Sequence, residues 1–291
     1  FLRLRRTLEM IRFSHTLFAL PFAGVGALTA ARGLPEGRVL LGILGAMVGA
    51  RSAAMAVNRL ADEAYDRANH RTAGRHLPAG LLTRGYVWGF TALSAALFLA
   101  SSAWLNPLCL RLSPVALAWI LGYSYAKRFT SASHLWLGVA LGMAPVGAWA
   151  AVTGTLSTPA PWWLGLGVCL WTAGFDLLYA CQDADFDRKA GLFAVPARYG
   201  ISAALKLSSF LHLLAMGGFA LFAWTAPLGV WTWGSLAAVA ALLAWEHSLV
   251  KADDLSRLDT AFFTANAAVS LVLLAAVAAD LLAPSSLAWK A

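Results

Sequence analysis

The chain has 291 residues, 60% of them hydrophobic and only 12% charged, with a net charge of +8. Soluble domains carry roughly a quarter charged residues, so this composition excludes an ordinary water-soluble protein and points to one embedded in a lipid bilayer. The positive charge calls for no nucleic acid, because membrane topology and an anionic substrate account for it.

About 20 apolar residues cross a bilayer as a helix, and hydrocarbon offers no partner to an open backbone. Apolar runs of that length are therefore expected to be spanning helices. In chain order nine such runs lie near residues 14–31, 38–57, 85–104, 109–125, 134–153, 161–181, 206–224, 229–249 and 260–282. The first lacks a small-residue cleavage site followed by a soluble domain and is read as a span, not a signal peptide; a start at Phe1 without methionine leaves room for native residues ahead of it. The segments 58–84 and 182–205 are long beside connections such as 154–160 and 225–228, long enough to cap a cavity. Residues 1–291 are read as one domain with no soluble appendage. Cys109, Cys169 and Cys181 fall inside apolar runs without a CxxC pair and are expected in the core. His15, His70, His76, His134, His212 and His247 form no HxxxH or HExxH and are read as local hydrogen-bonding residues.

Orientation follows from the basic residues. With the N-terminus on the cytoplasmic side, most of the 22 Lys and Arg fall inside. Only Arg32, Arg38, Arg111 and Lys290 fall outside, and Arg51 lies within the second run. All but Glu36 and Asp280 of the 14 acidic residues also lie inside. The chemistry is expected on that face.

Two acidic motifs stand there. At the end of the second run Asn58, Asp62 and Asp66 follow at four-residue steps, so one helical face presents all three. At the end of the sixth, Asp176, Asp183 and Asp187 are seven and four residues apart and are again expected on one face, with Tyr179 about 60° away. The separation from Asp62 to Asp183 equals that from Asp66 to Asp187, a hint of a duplicated four-helix unit. Hard oxygens on two facing helices can hold magnesium ions that bridge to the oxygens of a diphosphate and neutralise charge as its carbon–oxygen bond breaks. Solvated acids paired with nearby arginines are the plainer reading of either motif alone.

These residues resemble the UbiA family of membrane prenyltransferases over nearly the whole chain. The first family motif is matched by Asn58, Asp62 and Asp66, followed by Arg71, Thr72, Arg75, Leu77, Pro78 and Gly80. The second, DxxYAxxDxxxD, is matched by Asp176, Tyr179, Ala180, Asp183 and Asp187, and a stretch reading YSYAKRFT supplies Tyr123, Lys127 and Arg128. One departure is Arg59, where many members carry aspartate. The resemblance implies an all-α membrane protein with nine transmembrane helices around a central cavity and magnesium dependence, with two ions bridged by the diphosphate. It also implies transfer of a polyprenyl group from polyprenyl diphosphate to an aromatic or quinone precursor in a bacterial inner membrane.

On that footing Asp62, Asp66, Asp183 and Asp187, with Asn58, are the expected metal-binding set. Asn58, Arg71 and Lys127 are expected to stabilise the departing diphosphate, with Arg75 beside them, although topology anchoring is an equally simple reading of the cations. Arg12 is held more simply as an anchor. Tyr123 is expected to bind substrate, and Asp176 and Tyr179 are expected to be catalytic, positioning the acceptor or taking part in proton removal. A guanidinium inside an apolar run needs a partner. Arg51, about 10 Å deeper than Asn58 on the same helical face, is expected to hold the carboxylate of an aromatic acid, a structural ion pair being the alternative. The wording around both motifs is most similar to 4-hydroxybenzoate polyprenyltransferases, including a branch acting on 1,4-dihydroxy-6-naphthoate; haem, chlorophyllide and homogentisate are family alternatives. An ion-coupled transporter is the rival from another class, but its acids belong near the midplane. A CDP-alcohol phosphotransferase would show DGxxAR, which is absent.

Overall fold

The computed structural model describes residues 2–11 and 19–283, and among these it is helical, with one isolated backbone bridge between Lys251 and Asp254. Arg12 and His15, the start of the first apolar run and Lys290 lie outside the described residues. A short amphipathic helix α1 (Leu2–Met10) precedes α2 (Leu20–Ala31), α3 (Gly37–Ala68), α4 (Arg84–Leu105), α5 (Pro107–Ala126), α6 (Ser133–Thr153) and α7 (Ala160–Ala180). A 3₁₀ turn (Cys181–Asp183) leads into α8 (Ala184–Lys189) and α9 (Val195–Tyr199), then α10 (Ile201–Thr225) and α11 (Val230–Ser248). The last run opens with α12 (Leu258–Thr260) and a π turn (Ala261–Ala265) before α13 (Asn266–Leu282).

Among the described residues seven helices are long and apolar enough to cross a membrane: α3, α4, α5, α6, α7 with its extension, α10 and the segment Leu258–Leu282. The remaining two expected runs are occupied by α2 and α11. Local chemistry sets the boundaries. Thr83 caps α4 by accepting from the Tyr86 amide (3.3 Å), and Asn106 caps α5 by accepting from that of Cys109 (2.9 Å), with Pro107 at the first helical position. α6 ends at Gly154 in the left-handed conformation, φ 68°, which glycine adopts without a Cβ penalty.

One boundary at the acidic motifs agrees with expectation and one differs. As the four-residue spacing requires, α3 continues unbroken through the first motif to Ala68. At 1.5 Å per residue α3 is roughly 48 Å long, against a hydrocarbon core of about 30 Å. It is thus longer than a crossing requires, and the carboxylates of the first motif stand in its last three turns. The second motif is not on one continuous helix, because α7 stops at Ala180 and the 3₁₀ turn intervenes before α8.

The helices divide the molecule into a hollow part and a filled one. α3 packs on α4 and α5, α5 on α6, and α6 on α7, enclosing space between them. Pro114 lies within α5 and Pro145 within α6; each lacks the amide that would donate one helical hydrogen bond. The remainder, where α7 packs on α10 and α11 on α13, is filled by a core that includes Phe22, Leu164, Trp171, Phe175, Phe219, Phe222 and Leu273. Gly138 and Gly142 let α6 lie against the backbone of α7, since a Cβ at either would strike the carbonyl of Cys169 or Gly165. At the end of the bundle away from the acidic motifs, Asn106 donates to the Ala150 and Ala151 carbonyls (2.8 and 3.2 Å), and Asp280 accepts from the Trp231 and Thr232 amides at the start of α11 (3.1 and 2.8 Å). These contacts close that face.

Candidate active site

The space between α3, α4, α5, α6 and α7 is a cavity of about 470 Å³. Its depth is apolar, walled by Ile43, Met47, Phe98, Leu105, Leu112 and Ala148. Its mouth is built from the ends of α3, α5 and α7 with the two long connecting segments. Every described residue singled out above for chemistry lines it: Arg51, Asn58, Asp62, Asp66, Arg71, Arg75, Tyr123, Lys127, Asp176, Tyr179, Asp183 and Asp187. The first motif thus faces the second across the mouth, and Arg51 and Asp176 stand further in on the two walls.

The first motif is buried, with Asp62 and Asp66 each 5% exposed. Asp62 Oδ2 accepts from Asn58 Nδ2 at 3.1 Å and lies 3.4 Å from Lys127 Nζ, while its Oδ1 lies 3.7 Å from an Arg128 nitrogen. Asp66 Oδ1 accepts from Arg75 at 2.6 Å, and its Oδ2 lies 3.7 Å from Arg59. Asp62 Oδ1 and Asp66 Oδ2 are nevertheless buried with no hydrogen bond, a costly condition for carboxylate oxygens that have only distant cations beside them.

The second motif is different. Asp183 receives two bonds from Arg71 and one from Asn69 Nδ2 at 3.2 Å. Burial works against the Arg71 charge, but the Asp183 carboxylate more than offsets it and raises the guanidinium pKa above its ordinary value. Asp187 is 6% exposed and has no ion pair among the described residues. Its segment is tied to α5 by the Phe193 amide donating to the Lys127 carbonyl at 2.7 Å. Further in, His134 Nδ1 lies 2.7 Å from Asp176 Oδ2. On the opposite wall Arg51 Nε is buried with no hydrogen-bond partner among the described residues.

Four members of this constellation carry no assigned role in the sequence reading. Arg59, noted only as a departure, lines the cavity beside Asp66; Arg128, noted only for its place in the YSYAKRFT stretch, reaches Asp62 and lies over Tyr65 and Tyr125. Asn69 bridges to Asp183, and His134 reaches Asp176 from the start of α6. Arg59 and Asn69 were signalled by their place beside the first motif, whereas only tertiary packing pairs His134 with Asp176.

The residues at the mouth fit magnesium by donor chemistry. They offer hard carboxylate and amide oxygens, two of them buried and unsatisfied, with no thiolate or imidazole among them. No three His, Cys, Asp or Glu side chains among the described residues converge tightly enough to hold an ion alone. That suits magnesium, which is commonly held by one or two carboxylates and completed by substrate phosphate and water.

An all-helical membrane fold whose cavity joins an apolar depth to an acid-and-cation mouth defines a class: membrane proteins acting on an amphiphile with a charged head. The chain belongs to the UbiA prenyltransferase family, whose model matches residues 19–281, and it is a prenyl-transferring enzyme. It is 33% identical over 253 residues to the 4-hydroxybenzoate octaprenyltransferase of Aeromonas salmonicida (strain A449), covering 85% of each chain. With that of Vibrio cholerae serotype O1 (strain M66-2) it shares 35% identity over 232 residues, 77% of this chain and 78% of the relative. Its fold matches the apo structure of a UbiA homolog from Aeropyrum pernix K1, with TM-score 0.84, 35% identity, and coverage of 92% of this chain and 98% of that one. A UbiA homolog from Archaeoglobus fulgidus bound to DMAPP and Mg2+ superposes with TM-score 0.75 at 20% identity, covering 96% and 100%.

Proposed function

We propose that this protein transfers a polyprenyl group from its diphosphate to an aromatic acid, 4-hydroxybenzoate or 1,4-dihydroxy-6-naphthoate, in quinone biosynthesis. The observation that carries the choice of an acid is Arg51, a guanidinium in the wall of a largely apolar cavity whose buried Nε has no partner among the described residues. A bidentate carboxylate satisfies such a group. The names of the bacterial relatives favour 4-hydroxybenzoate of the two.

In this reading the whole chain acts as one domain, with the mouth on the cytoplasmic side of a bacterial inner membrane. Asp62, Asp66, Asp183 and Asp187, with Asn58, hold two magnesium ions, which when bound supply positive charge to the diphosphate. Arg71, Arg75 and Lys127 exchange part of their carboxylate contacts for phosphate oxygens and stabilise the departing charge. The prenyl chain occupies the apolar depth, which excludes water from the allylic cation. Arg51 holds the acceptor carboxylate and Tyr123 and Tyr179 flank the ring, so that an electron-rich carbon meets the cation in a fixed orientation.

A prenyl-transfer assay on purified protein with magnesium and a polyprenyl diphosphate, offering the two acids in parallel, tests this. Prenylated product from one acid and not the other names the acceptor. Arg51→Ala is expected to raise the KM for the acid about 10-fold or more, the scale of a lost charge-assisted contact, and to leave the KM for the diphosphate unchanged. Product with neither acid but with an uncharged aromatic overturns the assignment of Arg51 and of the acceptor class.

A further inference from the structure

The filled part of the molecule holds a polar cluster that the reaction does not use. Glu246 on α11 is fully buried, and its Oε1 accepts from Asn266 Nδ2 of α13 at 2.8 Å. Its Oε2 is buried without a hydrogen bond, 3.8 Å from His212 Nδ1 of α10. His212 is 2% exposed, and the same Nδ1 stands 2.9 Å from Nε2 of His247 on α11. The His212 ring is seated against the backbone of α7, where a Cβ on Gly174 would fall 2.4 Å from Nε2. A carboxylate and two imidazoles inside an apolar core cost free energy unless their charges and lone pairs are matched.

The outer bonds of the two rings decide where their hydrogens lie. His212 Nε2 is 3.1 Å from the Trp171 carbonyl, which can only accept, so Nε2 carries hydrogen and a neutral His212 has a lone pair at Nδ1. His247 Nδ1 is 3.3 Å from Ser209 Oγ, whose single hydrogen goes to the Leu205 carbonyl at 3.1 Å. The hydroxyl therefore accepts from Nδ1, and a neutral His247 turns the lone pair of Nε2 toward that of His212. Two lone pairs 2.9 Å apart, beside an unsatisfied carboxylate oxygen, repel. One proton between the rings turns that repulsion into a charge-assisted hydrogen bond, gives the carboxylate a counter-ion and leaves the cluster neutral.

The surroundings favour a proton over a larger cation. No three metal-ligating side chains among the described residues converge tightly enough to hold a metal ion. Facing the pair are the Trp171 carbonyl and Gly174 backbone from α7, Ser209 from α10, Glu246 from α11 and Asn266 from α13. Among the described residues these elements bring no further charge into an ion pair with the three. His247 lies in the last turn of α11, where the negative end of the helix dipole favours positive charge. Ser209 is exposed and His247 partly so, which gives the proton a route from solvent.

We propose that Glu246, His212 and His247 hold one proton in common, seated between the two rings, and that it makes the joint of α7, α10, α11 and α13 sensitive to pH. None of the three lines the cavity, so the proposal does not depend on the acceptor. The packed joint needs the proton and the unfolded chain does not, so stability falls where rising pH removes it.

The test follows equilibrium unfolding of the chelator-treated protein in detergent between about pH 6 and about pH 9, in the wild type and Glu246→Gln. The glutamine still accepts from Asn266 and needs no counter-ion. Relative to it, the wild type is expected to lose about 10-fold in its folding constant per pH unit once the proton leaves, the slope of one proton. Histidine ring nitrogens labelled with 15N are expected to show imidazolium character in the wild type at about pH 8, where a free histidine with a pKa of about 6.5 is neutral. Glu246→Gln is expected to lose that signal. Circular dichroism and monodisperse elution report folding; if Glu246→Gln fails them, His247→Gln, whose amide can donate to His212 Nδ1, is expected to lose the same signal.

Equal pH slopes in the two proteins, or wild-type rings that are all neutral at that pH, overturn the proposal. Stabilisation by added zinc ion that Glu246→Gln abolishes also overturns it, because the cluster would then be a metal site.

Discussion

The two acidic motifs carry the same DxxxD spacing and meet across one cavity mouth, yet their surroundings differ. Asp62 and Asp66 sit on an unbroken helix, nearly buried, among Lys127, Arg128, Arg75 and Arg59. Asp183 is held by Arg71 alone among the cations, and Asp187 has none among the described residues. The first motif is thus part of the scaffold as well as of the site, because each acid neutralises buried or half-buried cations that would otherwise lie uncompensated. The second motif carries fewer cations: Asp183 is held by Arg71 and Asn69, and Asp187, as buried as the acids of the first motif, has no ion pair among the described residues. A shared sequence pattern sets the residue type at each place but not the side chains that surround it.

Removing Asp66 tests the scaffold role most directly. Asp66→Ala is expected to abolish transfer, with a loss of at least about 10³-fold. It is also expected to destabilise the protein by about 3 kcal/mol, because Arg59 and Arg75 lose their shared counter-ion. Thermal unfolding in detergent measures the second effect; an Asp66→Ala protein as stable as the wild type would break the comparison. Asp187→Asn is expected to lower turnover by about 10²-fold with the unfolding temperature unchanged or raised. A clear fall in that temperature would mean that Asp187 has a structural partner.

Magnesium sharpens the same contrast. Because no three metal-ligating side chains converge among the described residues, the ion alone is expected to shift the unfolding temperature little. Magnesium with pyrophosphate at about 100-fold its dissociation constant is expected to stabilise by about 2.7 kcal/mol. An equal shift from magnesium alone would point to a preformed site. Chelation is expected to stop turnover in either case.

Arg71→Ala comes next. Its pair with Asp183 is partly exposed, with side chains 31% and 22% accessible, so about 1 kcal/mol of stability is expected to be lost. The KM for the diphosphate should rise about 10-fold as a charge-assisted contact disappears. Arg71→Lys is expected to recover the charge without the two-pronged geometry, and so only part of the affinity. The smallest effect belongs to the outward face of the same helical end. Arg67 pairs with Glu63 at 3.0 Å but is 67% exposed, and Arg67→Ala is expected to change stability by less than about 0.5 kcal/mol and turnover not at all.

Much of this was legible before any coordinates. The length and hydropathy of the apolar runs locate the helices because a bilayer forces backbone groups to pair within each segment. The four-residue spacing places Asn58, Asp62 and Asp66 on one face because α3 is regular there. The same periodicity applied to the second motif missed the 3₁₀ turn after Ala180, since no proline or glycine marks the break.

Residue type and spacing by themselves determined the membrane class, the helical architecture, the carboxylate face of the first motif and the place of Arg51 within an apolar run, all of which depend on local periodicity and on the cost of polar groups in hydrocarbon. Tertiary structure alone decided which cation meets which carboxylate, that Asp187 is left without one among the described residues, and that His134 reaches Asp176 from a different helix. Such pairings depend on how helices distant in sequence approach and rotate against one another, and that is set by packing summed over the whole molecule.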